Sequence, residues 1–289
     1  MDRRHQAVIT VSNAREADRI ADEDAPLAHR PLDLAPVEGD WVSATRLAGG
    51  ISRLRTDQRD GSLIVRASGY GEPRPGEWGE VRADGVFANA LRSTAGYAFF
   101  ATFDGENVRS RLQTYQGLGV LVVHAFHQFT DASGRRDYFT REFYVSSAEQ
   151  RTDSDPSGSG GDGGDLPAAL RAGDNDPSEL LGTWNGLAST VTKSISTLEC
   201  ALVDGAFTVR ADGVGADGPV DWGASGAFHY ADAHYLDNPP AFLATFDHGY
   251  MQVHLQARIN RGVLVVGEYT QFTDGSGRSD YFIRECYRR

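Results

Sequence analysis

The chain repeats itself, and the repeat fixes the number of folding units before any strand or helix is assigned. Phe129–Tyr144, reading FTDASGRRDYFTREFY, returns as Phe272–Tyr287, FTDGSGRSDYFIRECY, at an offset of 143 residues. The same offset relates Gly119–Val123 (GVLVV) to Gly262–Val266, Ala101–Asp104 (ATFD) to Ala244–Asp247, and Trp41 to Trp184. Mid-unit the offset is 144, matching Val65 and Arg66 with Val209 and Arg210, and Trp78 and Gly79 with Trp222 and Gly223. The copies run 38–145 and 180–289, behind a polar leader of residues 1–37. The linker, 146–179, contains DSDPSGSGGDGGD; its glycine, serine and aspartate have little to bury and predict disorder.

Each copy reads as short strands cut by turns. Ser62–Ser68 and Ala206–Arg210 are entered through Asp60-Gly61 and Asp204-Gly205, dipeptides suited to tight hairpins. Tyr97–Phe103 and Phe242–Phe246 end at Asp104-Gly105 and Asp247–Gly249. In Tyr250–Ile259 the apolar Met251, Val253 and Leu255 alternate with Gln252, His254 and Gln256. Val120–Phe129, a turn braced by Asp131 and Arg135, and a last strand, Asp137–Tyr144, complete the first copy, with no helix of useful length. The expected fold class is all-β: two tandem up-and-down antiparallel β-barrels joined by the disordered linker, closure removing the edges of an open sheet.

Lys and Arg total 28 against 40 Asp and Glu, a net charge of −12. That field repels phosphate backbones and anionic lipid, so nucleic acid and membranes are not expected partners. The N-terminus lacks an apolar signal-peptide core and no run approaches the roughly 18 apolar residues of a membrane span, which predicts a cytoplasmic protein. Cys200 and Cys286 both fall in the second copy, and Phe143 stands opposite Cys286, so the copies share no disulfide and free thiols are expected.

The second copy opens with Gly182-Thr183-Trp184 and carries Arg284 in its last strand; the first has Gly39-Asp40-Trp41 and Arg141. This pattern resembles the calycin signature of lipocalins, fatty-acid-binding proteins and their relatives. The resemblance implies structural closure of each barrel, Trp41 and Trp184 lying across one end with Arg141 and Arg284 stacked on them. Tandem lipocalin-like proteins include carriers as well as cofactor-free cyclases and isomerases, so the resemblance implies a ligand without choosing a function.

With Arg141 inward, the pleat also turns Asp137, Phe139 and Phe143 inward, with Asp280, Phe282 and Cys286 as counterparts, and leaves Tyr138, Glu142 and Tyr144 outward. Asp137 and Arg141 form a candidate acid and electrophile, although their recurrence as Asp280 and Arg284 equally marks architecture. His124 and His127 stand where the second copy has Gly267 and Thr270; three apart on a strand, they face opposite ways and do not chelate a metal. One of them enters the cavity, as a general base or as a satisfied structural histidine.

Glu268 and Tyr269 replace Ala125 and Phe126, and His254 replaces Arg111. His254, Glu268 and His229 are candidates to converge in one cavity; the alternative places His229 and His234 on a solvated rim. Trp78 and Trp222 follow glycine- and proline-rich loops, and either stack on a flat ligand at a mouth or plug the core. The candidate catalytic set is thus His127, His124, Asp137, Glu268 and His254, and the ligand-binding set Trp78, Trp222, Phe139, Phe282 and Tyr269. No nucleotide, zinc or nucleophile-elbow motif is present, so no cofactor or metal is expected.

The expected function is cofactor-independent cyclisation, isomerisation or dehydration of a hydrophobic or aromatic small molecule. The glycine, alanine, arginine and aspartate usage points to a GC-rich bacterial genome and specialised metabolism. The alternative is a non-catalytic carrier or sequestering protein.

Overall fold

A computed structural model describes residues 31–44, 50–69, 76–89, 93–148, 175–187, 195–215, 218–232 and 240–289. Among these the fold is all-β, with a single 3₁₀ turn at Ala35–Val37 and no α-helix. Among the described residues no helix is long and apolar enough to cross a membrane. Most of the linker, His234 and residues 1–30 lie outside the described residues.

The first unit holds β1 (Gly39–Ser43), β2 (Ile51–Arg59), β3 (Ser62–Gly69), β4 (Glu77–Arg82), β5 (Gly85–Asn89), β6 (Gly96–Asp104), β7 (Val108–Gly117), β8 (Val120–Phe129) and β9 (Tyr138–Ser146). The second holds β10 (Gly182–Gly186), β11 (Ile195–Val203), β12 (Ala206–Gly215), β13 (Gly218–Asp232), β14 (Ala241–Asp247), β15 (Met251–Asn260), β16 (Val263–Phe272) and β17 (Tyr281–Arg288). The Asp60-Gly61 and Asp204-Gly205 hairpins have positive φ at both turn residues, as do Leu118-Gly119 and Arg261-Gly262. That backbone twist matches the twist of the flanking strands.

Within each unit sequence neighbours other than β4 and β5 pair antiparallel, and the first strand also pairs with the last: Trp41 opposite Ser146 in β1–β9, and Asn185 opposite Arg288 in β10–β17. The long β13 does the work of β4 and β5 together, pairing with β12 through its first part and β14 through its second. β1 and β10 are only five residues long, so the starts of β9 and β17 each keep a free edge. The other unit takes it. The end of β13 pairs parallel with β9 at Ala231↔Tyr138, and the end of β5 pairs parallel with β17 at Tyr281↔Ala88. The two seams are equivalent at the 143-residue offset, and each covers an edge that would otherwise invite aggregation.

Each unit has its own apolar core, around Trp41, Leu54, Leu112 and Tyr144 in the first and Trp184, Leu198, Leu255 and Tyr287 in the second. Two further clusters lie between the units. One packs Phe87, Phe100, Tyr115 and Val122 against Tyr269 and Phe282; its counterpart packs Phe126 and Phe139 against Tyr230, Ala241 and Leu243.

This interface reverses the expected pleat. Tyr144 and Glu142 turn into the first unit, and Phe139 turns outward onto the second; Tyr287 and Phe282 do the same in reverse. The physical reason is that the outward aromatics meet protein rather than water, while the inward Tyr144 hydroxyl donates to the Ile51 carbonyl at 2.7 Å. The leader expectation also needs correction at its end: Leu34 and Val37 are buried in the first core, and Asp33 bridges Ala95.

Both tryptophans are core residues at the head of their units, but neither Arg141 nor Arg284 reaches them. The Arg141 guanidinium lies 4.3 Å over Phe143, and Arg284 hydrogen-bonds Tyr115. The cation over Trp184 is Arg289, at 4.7 Å, and Trp41 instead donates its indole N–H to Thr56 Oγ1 at 3.3 Å. The position matching Arg289 in the first unit is Ser146, which explains why only one indole is so covered. Arg289→Ala should therefore lower stability by about 1 kcal/mol. Urea melts of Arg289→Ala in Trp184 and Trp184→Phe backgrounds check the contact, which should lose most of its worth with the indole.

Candidate functional site

Glu268 and Glu285 of the second unit meet at Tyr287. Its hydroxyl lies 3.2 Å from the Ile195 carbonyl, 3.1 Å from Glu268 Oε1 and 3.1 Å from Glu285 Oε2. Glu268 is fully buried on the core-facing side of β16, directly across from Leu255 on β15 and Ile283 on β17. The ladder row that runs through it continues to Ala244 and Ala227, which present little bulk. Glu285 is only partly buried. β10 ends at Gly186, and Leu187 just beyond it still donates its N–H to the Cys286 carbonyl at 2.9 Å.

One hydroxyl proton cannot serve three acceptors. Burial, reinforced by the charge of Glu285, holds Glu268 well above the usual carboxylate range, against the opposing effect of the Tyr287 hydrogen bond. A protonated Glu268 donates to the phenol oxygen, and the phenol donates onward to Glu285. Burial and the two carboxylates likewise raise Tyr287 far above an ordinary phenol, so it relays protons as a neutral group. The result is an acid, a relay and a partly buried carboxylate in one chain of contacts.

The first unit keeps half of this. The Tyr144 hydroxyl lies 3.2 Å from Glu142 Oε2, and Ser43 Oγ lies 3.4 Å from the same oxygen. Burial pushes Glu142 up to about 7, opposed by the hydrogen bonds of Tyr144, Ser43 and Thr140. Ala125 stands where the second unit has Glu268, so there is no second acid.

No protein-family model matches the chain. No curated protein matches it either, so geometry carries the functional argument.

Of the residues picked from sequence, Glu268 is in this site; Glu285 and Tyr287 were missed because the last strand was phased the wrong way. Their signal was available: Glu and Tyr two apart recur at 142/144 and 285/287. His127 is the inward histidine of its pair. Its Nδ1 lies 2.9 Å from Ser110 Oγ, its ring stacks on Tyr138 at 4.4 Å, and burial lowers it to about 3. A ring so disfavoured as a cation is a poor proton acceptor. His124 faces the second unit, and so does not enter the core.

His254, Glu268 and His229 do not converge. His254 is outward, its Nδ1 3.0 Å from Thr245 Oγ1 and its ring against Phe100 of the first unit. Burial, then the charge of Arg111, lowers it to about 4. His229 sits on Phe207, with Nε2 donating to the Asn175 carbonyl at 3.0 Å. Tyr269, Phe139 and Phe282 are packing residues of the unit interface rather than a ligand pocket.

Asp137 and Asp280 brace equivalent turns, accepting the backbone N–H of Phe129 at 2.9 Å and of Phe272 at 2.8 Å. Their recurrence is architectural. Trp222 is buried against Phe246 and His248, and Trp78 packs on Phe103 and His127. Trp222 is a core residue, and Trp78 is partly buried against the first core. Asp131 and Arg135 form the ion pair expected of their turn. Cys200 and Cys286 are free, and burial pushes the Cys200 thiol up to about 12. A surface groove of about 420 Å³ at Leu32, Phe272 and Gly275–Asp280 lies on the β16–β17 turn, and none of its lining residues belongs to the glutamate pair.

Proposed function

We propose that the chain is a cofactor-independent acid–base enzyme, a cyclase or isomerase, acting on an apolar small molecule held in the second unit. The reading rests on one observation: two glutamates meeting at a single tyrosine hydroxyl, 3.1 Å from each. Each unit, on this reading, is an up-and-down barrel of the calycin kind. Support comes from the pairing of each first strand with both the second and the last strand.

Glu285 is the base that takes a proton from the substrate, and Glu268 is the acid that delivers one elsewhere on it. Tyr287 returns the proton between them. The exchange is balanced in protons and uses no redox partner, which suits isomerisation or proton-triggered ring closure. The first unit, with Ala125 in place of the acid, is the scaffold copy.

The test begins with native mass spectrometry of the purified chain to identify a co-purifying molecule. That molecule and its close isomers are then incubated in D₂O with wild type, Glu268→Gln, Glu285→Gln and His127→Ala. Either glutamine change should slow deuterium incorporation and turnover at least about 100-fold, and His127→Ala should leave both within a few-fold. Wild-type rates in the two glutamine variants would sink the proposal. Binding without any conversion by wild type would point instead to a carrier.

A further inference from the structure

The duplication sets two copies of one turn beside the seams between the units, and the two are finished differently. The β8–β9 turn closes on itself. Arg135 donates Nε to the Ser133 hydroxyl at 2.8 Å, pairs with Asp131 and lies 3.9 Å over the Phe129 ring. Asn175 then fastens this turn to the second unit, its Nδ2 donating to the carbonyls of Asp137 at 2.9 Å and His229 at 3.2 Å.

At the 143-residue offset Asn175 corresponds to Leu32 and Arg136 to Ser279, while Ser133 and Arg135 return as Ser276 and Arg278. A leucine side chain has no N–H to donate, so Leu32 makes no such bridge and packs instead against the first core. Arg278 lies 5.3 Å from the Phe272 ring, farther off than Arg135 from Phe129. The Ser276 and Ser279 hydroxyls are buried and have no hydrogen-bond partner among the described residues. Beside them runs the groove of about 420 Å³, walled by Leu32 of the first unit and by Phe272 and Gly275–Asp280 of the second.

An orphaned buried hydroxyl costs free energy that a bound partner recovers. A serine hydroxyl turns about χ1 alone, so it reaches a molecule in the groove without the loop moving. The rest of the lining narrows the class of that molecule. Asp280 repels an anion and Arg278 repels a cation, which leaves a neutral ligand. Ligand hydroxyls both donate and accept, as each serine does, and Leu32 offers apolar surface to the C–H groups between them.

We propose that this groove binds a neutral polyhydroxylated molecule of monosaccharide size, anchored by Ser276 and Ser279 and flanked by Leu32. It is a second site, sharing no residue with the glutamate pair. Because both units line it, occupancy stabilises their association by mass action.

D-glucose, D-galactose, D-mannose and myo-inositol are the probes, each titrated into the full chain and followed by saturation-transfer NMR and by backbone amide shifts. At least one should bind saturably and shift the amides of Gly275–Asp280. Ser276→Ala and Ser279→Ala should each weaken that binding at least about fivefold. Ser133→Ala, in the other copy of the turn, should leave it unchanged, and so should Glu268→Gln. Leu32→Asn should abolish it, because asparagine there restores the bridge that Asn175 makes. Absence of saturable binding by all four probes overturns the proposal, as do shifts confined to residues away from this turn. Unchanged affinity in both serine variants overturns it too, and so does tighter binding of inorganic phosphate than of every probe.

Discussion

Glu142→Gln is expected to gain about 3 kcal/mol of stability relative to wild type as pH rises from 4 to 8. Burial raises the Glu142 carboxyl from 4.5 to about 7 in the folded chain. Between those values the folded state holds a proton that the unfolded state has released, so wild-type stability falls as pH climbs. The contribution is fully present below 4.5 and gone above about 7. Glutamine keeps the neutral shape and does not titrate, so the variant's curve lacks this one contribution. Buried histidines act in the opposite sense: His127, lowered to about 3, and His254, lowered to about 4, stay neutral when folded. Their contribution is lost as pH falls through 6.5 toward those values. The wild-type profile is therefore a sum of opposing slopes, and the difference between variant and wild-type urea midpoints across pH isolates Glu142. A difference that stays constant from pH 4 to 8 would show that the carboxyl ionises normally.

Legibility of the sequence stopped where burial became two-sided. The duplication, the Asp-Gly hairpins, and the half-buried strands β3 and β12 are written in local pattern, since one face of each meets water and alternation survives. β8 is buried on both faces from Leu121 to His127, and β16 from Leu264 to Thr270. No alternation is left there to fix the phase. In the sequence the phase of β9 and β17 rests on placing an arginine over the tryptophan, and that placement inverts Phe139, Glu142, Phe282 and Glu285 together. Glu268 was found because it breaks the repeat, standing where the other copy has Ala125. Its partners stay hidden in the sequence because the inverted phase of the last strand turns them outward.

Phe282→Ala should cost about 3–5 kcal/mol, and Phe139→Ala a similar amount, in the absence of any ligand. Phe282 is 3% exposed and lies 4.6 Å from the Tyr269 ring, 5.2 Å from Tyr115 and 5.9 Å from Tyr97, so three rings lose contacts at once. Tyr115 and Tyr97 belong to the other unit, which makes this the cost of separating the two copies as well as of opening a cavity. Phe139 stands at the equivalent place, stacked on Phe126 at 5.8 Å within the cluster that also holds Tyr230. The parallel bridges at Tyr281↔Ala88 and Ala231↔Tyr138 lie beside these rings, so loss of the aromatic packing also exposes the strand edges it shields. Wild type should unfold in urea as one transition when followed by tryptophan fluorescence and by circular dichroism. The Phe139→Ala, Phe282→Ala double variant should split into two, one for each unit, because the packing that couples them has been removed from both seams. If instead each single change leaves the urea midpoint in place and only weakens binding of a small molecule, these rings line a ligand pocket and the units do not pack through them.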